Sequence, residues 1–212
     1  MKYQLTPDLI QRAFRQTAWD FGNNILYELC AKYPDHLQDD VIIAKVWLIG
    51  RSYAAAIERR LVNPLGAIGD AFYENVVAPR IRTSRIKEWF DSLTADSDNS
   101  LLLSLEVHKK VTELFSEISG MEKRSLASKY LHFHFPQRFY IFDSRAQQAI
   151  TKLTRSVGKT MPSKGAHDNQ YALFCFRCEA LNDDVHKLIG RRLTPRELDK
   201  VLLTHRGTQQ IV

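Results

Sequence analysis

The segment from Ile118 to Asp143 gathers residue types from which a phosphate grip and a charged centre can be built. Gly120 permits the positive φ of a tight turn and a close backbone approach. The amides freed at the next helix start, around Met121, Arg124 and Ser125, can then hold a phosphate without reading sequence. Such a grip would anchor a duplex. Beyond Pro136, the apolar run Phe139-Tyr140-Ile141-Phe142 forms an extended strut that ends at Asp143. There a helix N-terminus favours the ionised carboxylate, as a charge that steadies a cationic transition state requires. The same aspartate also reads as a plain helix N-cap, and the two roles are compatible. Lys129 stands in the middle of an otherwise apolar helix, a position that either carries the ammonium out to water or lowers its pKa by burial.

The elements that must position these groups are helical, because apolar residues recur at three and four for most of the chain and strict alternation is rare. Thr6-Pro7-Asp8 opens a first helix whose apolar set (Leu9, Ala13, Phe14, Phe21, Ile25, Leu26, Leu29) runs to Tyr33-Pro34. Asp39 and Asp40 open a second, expected to persist to Asn63-Pro64. A third stretch, Ala67 to Leu93, is predicted to break at Pro79. An acidic linker at 95–100 precedes a helix from Leu101 to Ile118, and a helix from Lys123 to Phe133 completes the hairpin. Ser156 to Ala166 reads as a loop and Asp168 to Ile189 as a helix. Thr194-Pro195-Arg196-Glu197 is a capping box for a last short helix. The fold class expected is all-α, one compact unit over 1–212 with two helical lobes meeting near 94–100 and a cleft between them.

From Ile118 to Ala146 the chain resembles the helix-hairpin-helix superfamily of DNA glycosylases, and in particular bacterial proteins similar to 8-oxoguanine DNA glycosylase. Lys123 matches the hairpin lysine, Pro136 the proline and Asp143 the aspartate of that pattern, while Glu122 stands where the family has its second hairpin glycine. The resemblance implies a nucleotide flipped out of duplex DNA into a pocket between lobes, attack at the sugar C1′ and departure of a damaged base, with strand scission as a second step. It implies Asp143 and a lysine as the chemical pair. Lys123 is one claimant and Lys129 another; a second alignment puts Ser125 at the nucleophile position, and a site without a catalytic lysine is the remaining alternative. A lysine nucleophile must be neutral, which desolvation against Phe133 and Phe139 would favour. Segments like Arg51-Ser52-Tyr53-Ala54-Ala55 recur in the same proteins, which implies pocket-lining roles for Arg51 and Tyr53. An internal arginine clamp is the alternative for Arg51.

His132 and His134 are read either as a pocket wall or as satisfied structural histidines. Cys175 and Cys178 form a lone CxxC without the partners of a zinc or iron–sulfur site, so no metal and no cofactor is expected. Arg80, Arg82, Arg85 and Lys87 are four cations in eight residues, either a solvated face or a stripe along a phosphate backbone. Gly158-Lys159-Thr160 lacks the upstream glycine of a P-loop. The 212 residues carry 30 Lys and Arg against 24 Asp and Glu, a net charge of +6 that favours a polyanionic partner. No apolar run approaches the roughly 20 residues that cross a bilayer, and no apolar leader opens the sequence. The expectation is a cytoplasmic protein that binds DNA, off the membrane, either in repair or beside protein partners encoded in an antiphage defence operon. The rival expectation is an inactive module of the same fold that binds a nucleic acid, a nucleotide or a protein.

Overall fold

A computed structural model describes residues 5–59, 69–154 and 165–207, and every regular element among them is helical. The elements are α1 (Pro7–Ala13), α2 (Trp19–Lys32), α3 (Asp39–Ser52), α4 (Asp70–Phe72), a π-helical turn (Tyr73–Val77), α5 (Ala78–Arg82), α6 (Ile86–Ala95), α7 (Leu101–Ser119), α8 (Arg124–His134), α9 (Ser144–Leu153), α10 (Asn169–Ile189) and α11 (Pro195–Gly207). No helix among the described residues is long and apolar enough to cross a membrane. The predicted glycine-lysine turn at 158–160 and the predicted end of the second helix at 63–64 lie outside the described residues.

Apolar burial divides into two clusters. The first joins α2, α3, the π turn, α5, α6, most of α7 and α8 around Val46, Ile49, Phe115, Tyr130 and Phe133. The second joins α1, α9, α10 and α11 around Ile150, Tyr171, Leu181, Leu198 and Val201. The chain crosses from one to the other inside a single strut: Phe139 belongs to the first cluster, Tyr140 and Phe142 to the second.

That division explains why the predicted first helix is two. α1 buries Leu9, Ile10 and Ala13 in the second cluster and α2 buries Leu26 and Cys30 in the first, which one straight helix cannot do. The break is held by Asp20, whose carboxylate accepts from the Thr17 amide at 2.7 Å. Phe14, Phe21 and Ile25, expected on the buried face, are exposed as a result. The second helix stops at Ser52 because the chain folds back on it: Ala54 takes a φ of 50° and the Ala55 amide donates to the Gly50 carbonyl at 2.7 Å. A Cβ on Gly50 would sit 3.0 Å from the Ala56 backbone, tighter than most side chains tolerate, so glycine favours this close approach.

Pro79 does not break its helix. It falls at the start of α5, straight after the π turn, and the break comes at 83–85 instead, where Thr83 and Ser84 hydroxyls bond back to the carbonyls of Pro79 and Ile81. The acidic linker is tied down rather than loose: the Arg138 guanidinium donates to the Leu93 carbonyl and to Asp96, whose carboxylate also accepts from the Ser100 amide.

Candidate active site

α8 and the strut after it build the site together. Gly120 ends α7 in the left-handed conformation, φ 71°, and returns the chain for α8. Four residues after the start of α8, Ser128 accepts from the Phe142 amide at 3.0 Å, so a small side chain on α8 lets the strut lie directly against the helix. The strut forms no sheet ladder; side chains satisfy it. His132 Nδ1–H donates to the Phe139 carbonyl at 2.7 Å, and the Tyr171 hydroxyl donates to that of Tyr140 at 3.0 Å. Asp143 then caps α9, its Oδ1 accepting from the amides of Arg145 and Ala146, both at 2.9 Å.

The other carboxylate oxygen of Asp143 lies 3.5 Å from Lys129 Nζ. The lysine side chain is 1% exposed and the aspartate 28%, so the acid forms the open side of the pair. Lys129 Nζ also donates to Ser125 Oγ at 2.7 Å and to the Phe142 carbonyl at 3.3 Å, and it stands 5.8 Å from the centre of the Tyr53 ring. Three oxygen partners match the three donors of an ammonium group. Burial pulls the Lys129 pKa below its ordinary value, while the negative charges of Asp143 and Asp199 oppose the shift.

Around this pair stand polar groups from two more helices. On α2, Asn23 accepts from the Tyr53 hydroxyl at 2.7 Å, and the Tyr27 hydroxyl lies 2.6 Å from His132 Nε2. With His132 Nδ1 donating to a carbonyl, Nε2 is left as acceptor and Tyr27 as donor. On α11, Asp199 is buried and bonded to Arg196 at 2.6 Å, and Lys200 pairs with Asp20 of α2 at 2.9 Å. Burial raises the Asp199 carboxyl to about 6; Arg196 and Lys129 pull it down and Asp143 pushes it up. A charged seam of acids and bases therefore joins the two apolar clusters, with Lys129 and Asp143 among its members.

Of the residues named from sequence, the structure brings together Lys129, Asp143, Ser125 and Tyr53. Lys123 faces elsewhere: its Nζ donates to the Arg59 carbonyl at 2.7 Å, and the charges acting on it are those of Glu58 and Arg59. Arg51 is on the surface, paired with Glu58 and lying over Trp47. Arg124 is occupied by Asp168, Gln170 and Glu122 and packs on Phe142. The Ser119 hydroxyl donates to the Met121 carbonyl and lies 3.3 Å from its amide. His134 lines a cavity with Cys30, His36 and Phe90 instead. Three of the four clustered cations are paired: Arg82 with Asp39, Arg85 with Glu88 and Lys87 with Asp91.

Asn23, Tyr27, Arg196 and Asp199 were not singled out from sequence. Asp20, Asn23 and Tyr27 recur at three and four on α2, as do Arg196, Asp199 and Lys200 on α11, so a polar stripe beside an apolar one was the available signal. Cys30, Cys175 and Cys178 are buried free thiols, and among the described residues no group of three or more His, Cys, Asp or Glu is placed to hold a metal.

Comparison with protein-family models, with curated proteins and with solved structures finds no match. The site consists of a buried amine, an adjoining half-open carboxylate, and a second, buried carboxyl with an elevated pKa.

Proposed function

We propose that the protein is a glycosylase-like DNA-binding protein that excises a modified base, 8-oxoguanine being the base implied by the sequence resemblance, in repair or antiphage defence. The observation that carries the reading is the enclosed Lys129 amine 3.5 Å from the half-open Asp143 carboxylate. In this reading the flipped nucleotide enters between the two apolar clusters, where Tyr53 and Tyr27 offer aromatic surface and Asp143 faces the opening. Lys129 gives up a proton to Asp143, and the neutral nitrogen bonds to C1′ as the bond from C1′ to the base breaks. The base leaves with that electron pair and takes up the proton held by Asp143, which restores the carboxylate. The adduct nitrogen then passes a proton to the sugar ring oxygen as the C1′–O bond breaks, yielding a protonated Schiff base whose positive charge the Asp143 carboxylate steadies.

Borohydride reduction of mixtures with duplexes carrying 8-oxoguanine and other modified bases tests this. A covalent adduct lost in Lys129→Gln and retained in Lys123→Gln supports the assignment, whereas the reverse pattern moves the nucleophile to Lys123. Base release without an adduct assigns the attack to water under Asp143.

A second reading is a module of the same fold that binds nucleic acid without cleaving it. It is favoured by the satisfaction of all three Lys129 donors inside the protein. Duplex binding with neither adduct nor base release on any of these substrates selects it.

A further inference from the structure

The hairpin expected to hold a phosphate carries Glu122, and its Arg124 is taken up by Glu122, Asp168 and Gln170. A strand that brings a nucleotide to Asp143 needs its charge met elsewhere. α9, which starts from that residue, has the opposite balance: the sequence from Ser144 to His167 is the longest stretch of the chain without Asp or Glu, and it holds five Lys and Arg.

α9 buries Ala146, Ala149 and Ile150 in the second cluster, so its other face turns outward. Ser144, Arg145, Gln148, Thr151 and Lys152 on that face are exposed. Arg145 and Lys152 stand nearly in line, about 10.5 Å apart along the axis, or roughly three nucleotide steps of about 3.4 Å on one strand. Gln148 lies about 60° round the helix from Arg145, and Thr151 about 60° further. There the Arg177 guanidinium reaches over from α10 and donates to Thr151 Oγ1 at 2.9 Å. The Arg145 guanidinium has no partner among the described residues. The carboxylates of α10 and α11, the helices packed most on α9, are all ion-paired. Asp143 engages the α9 amides with one oxygen and Lys129 with the other. No free carboxylate from these elements competes for Arg145 or Arg177.

A nucleotide within a strand has a phosphate on each side of its sugar. If the sugar meets Asp143, the strand continues over whatever adjoins that residue, and α9 is its direct extension. We propose that the outer face of α9, with Arg177 from α10, is a docking surface for the phosphate backbone of the DNA strand that presents a nucleotide to Asp143. This rests on the reading that a nucleotide reaches Asp143, and it adds the surface that holds the strand.

The test is fluorescence anisotropy of the full chain with an undamaged labelled duplex, titrated over about 50 to 200 mM salt. Arg145→Gln and Arg177→Gln should each lower the slope of log affinity against log salt by about 0.9 and weaken binding roughly 5- to 10-fold near 0.1 M, and the double variant should compound both effects. Arg82→Gln/Arg85→Gln removes the same charge from paired surface positions and should change affinity by less than about twofold. Circular dichroism should be unchanged throughout; Arg145→Gln alone carries the test should loss of the Arg177–Thr151 bond destabilise the fold. An unaltered slope in the double variant, an equal loss in the Arg82/Arg85 control, or no duplex binding by the wild type would overturn the proposal. So would competition by polyglutamate as effective as by unlabelled duplex, which would assign the face to an acidic protein. A borohydride adduct with an unaltered slope sinks this surface and leaves base excision standing. Slope losses on undamaged duplex with no adduct do the reverse.

Discussion

Asp143 does two jobs with two oxygens, and substitution can separate them. Oδ1 caps α9 and Oδ2 faces Lys129. Asparagine caps a helix about as well as aspartate, so any loss beyond about 0.5 kcal/mol in urea titrations of Asp143→Asn reports the buried Lys129 ammonium left without its counter-charge, and Asp143→Ala should cost about 1 kcal/mol more than Asp143→Asn through the lost cap. If the protein acts as the proposed glycosylase, both should reduce base release by roughly 100-fold or more, since the carboxylate charge is gone in each. Equal activity in wild type and Asp143→Asn would reduce the residue to a cap. Asp199 makes a pH-dependent prediction. Its folded pKa, about 6, lies above its ordinary 3.8, so the stability linked to its protonated form is full below about pH 4 and lost as pH rises through 6. Between pH 4 and 6 the wild type should therefore lose about 3 kcal/mol relative to Asp199→Asn, measured as the difference between two urea-midpoint profiles. Which lysine pairs with Asp143 was open at this scale in the sequence, because Lys123 and Lys129 both precede it at plausible spacing. Six residues along α8 turn the two side chains toward different neighbours.

Helix ends were the most legible elements. Thr6 caps α1 and Asp168 caps α10, each through its side chain, and the box at Thr194 is reciprocal: Glu197 accepts from the Thr194 amide at 2.9 Å and Thr194 from the Glu197 amide at 3.2 Å. These signals are short-range chemistry, complete within four residues. Thr194→Ala should cost about 1 kcal/mol in urea unfolding. Because α11 carries Arg196 and Asp199, it should also loosen the seam, seen as faster amide exchange in 196–202. Helix interiors were less legible. The periodic run from Leu9 to Leu29 is broken by Asp20 and by the demand of two cores, neither of which has a local signature. Pro79 looked like a breaker, yet it sits where the preceding π turn leaves room for its ring. The turn after α3, which brings Tyr53 to Lys129, is favoured by the missing Cβ of Gly50, a preference visible only once Ala56 is seen packed against it.

Histidines held neutral by burial dominate the acid response among the described residues. Burial depresses His36, His108, His132 and His134 to between about 2 and about 4, below the ordinary 6.5. Unfolding lets each take up a proton, so the stability tied to their neutral forms is present above about pH 6.5 and lost as pH falls below it. Four such groups outweigh the opposite slope of the single Asp199, and the urea midpoint of the wild type should fall between pH 7 and 5. A rising midpoint over that range would contradict the buried, neutral assignment. Sequence by itself determined the helical class, the caps, the turn at Gly120 and the placing of Asp143 at a helix start, since each follows from periodicity or from contacts a few residues apart. It also marked Lys129 as anomalous in an apolar helix. Only the tertiary structure decided that Lys129 is the amine beside Asp143, that Arg51 and Arg124 are engaged elsewhere, and that Asp199 from the last helix joins the same seam. Those outcomes depend on how two apolar clusters, each assembled from distant segments, register against one another across a polar interface. No local rule carries that information, because the groups that meet there are up to 180 residues apart along the chain.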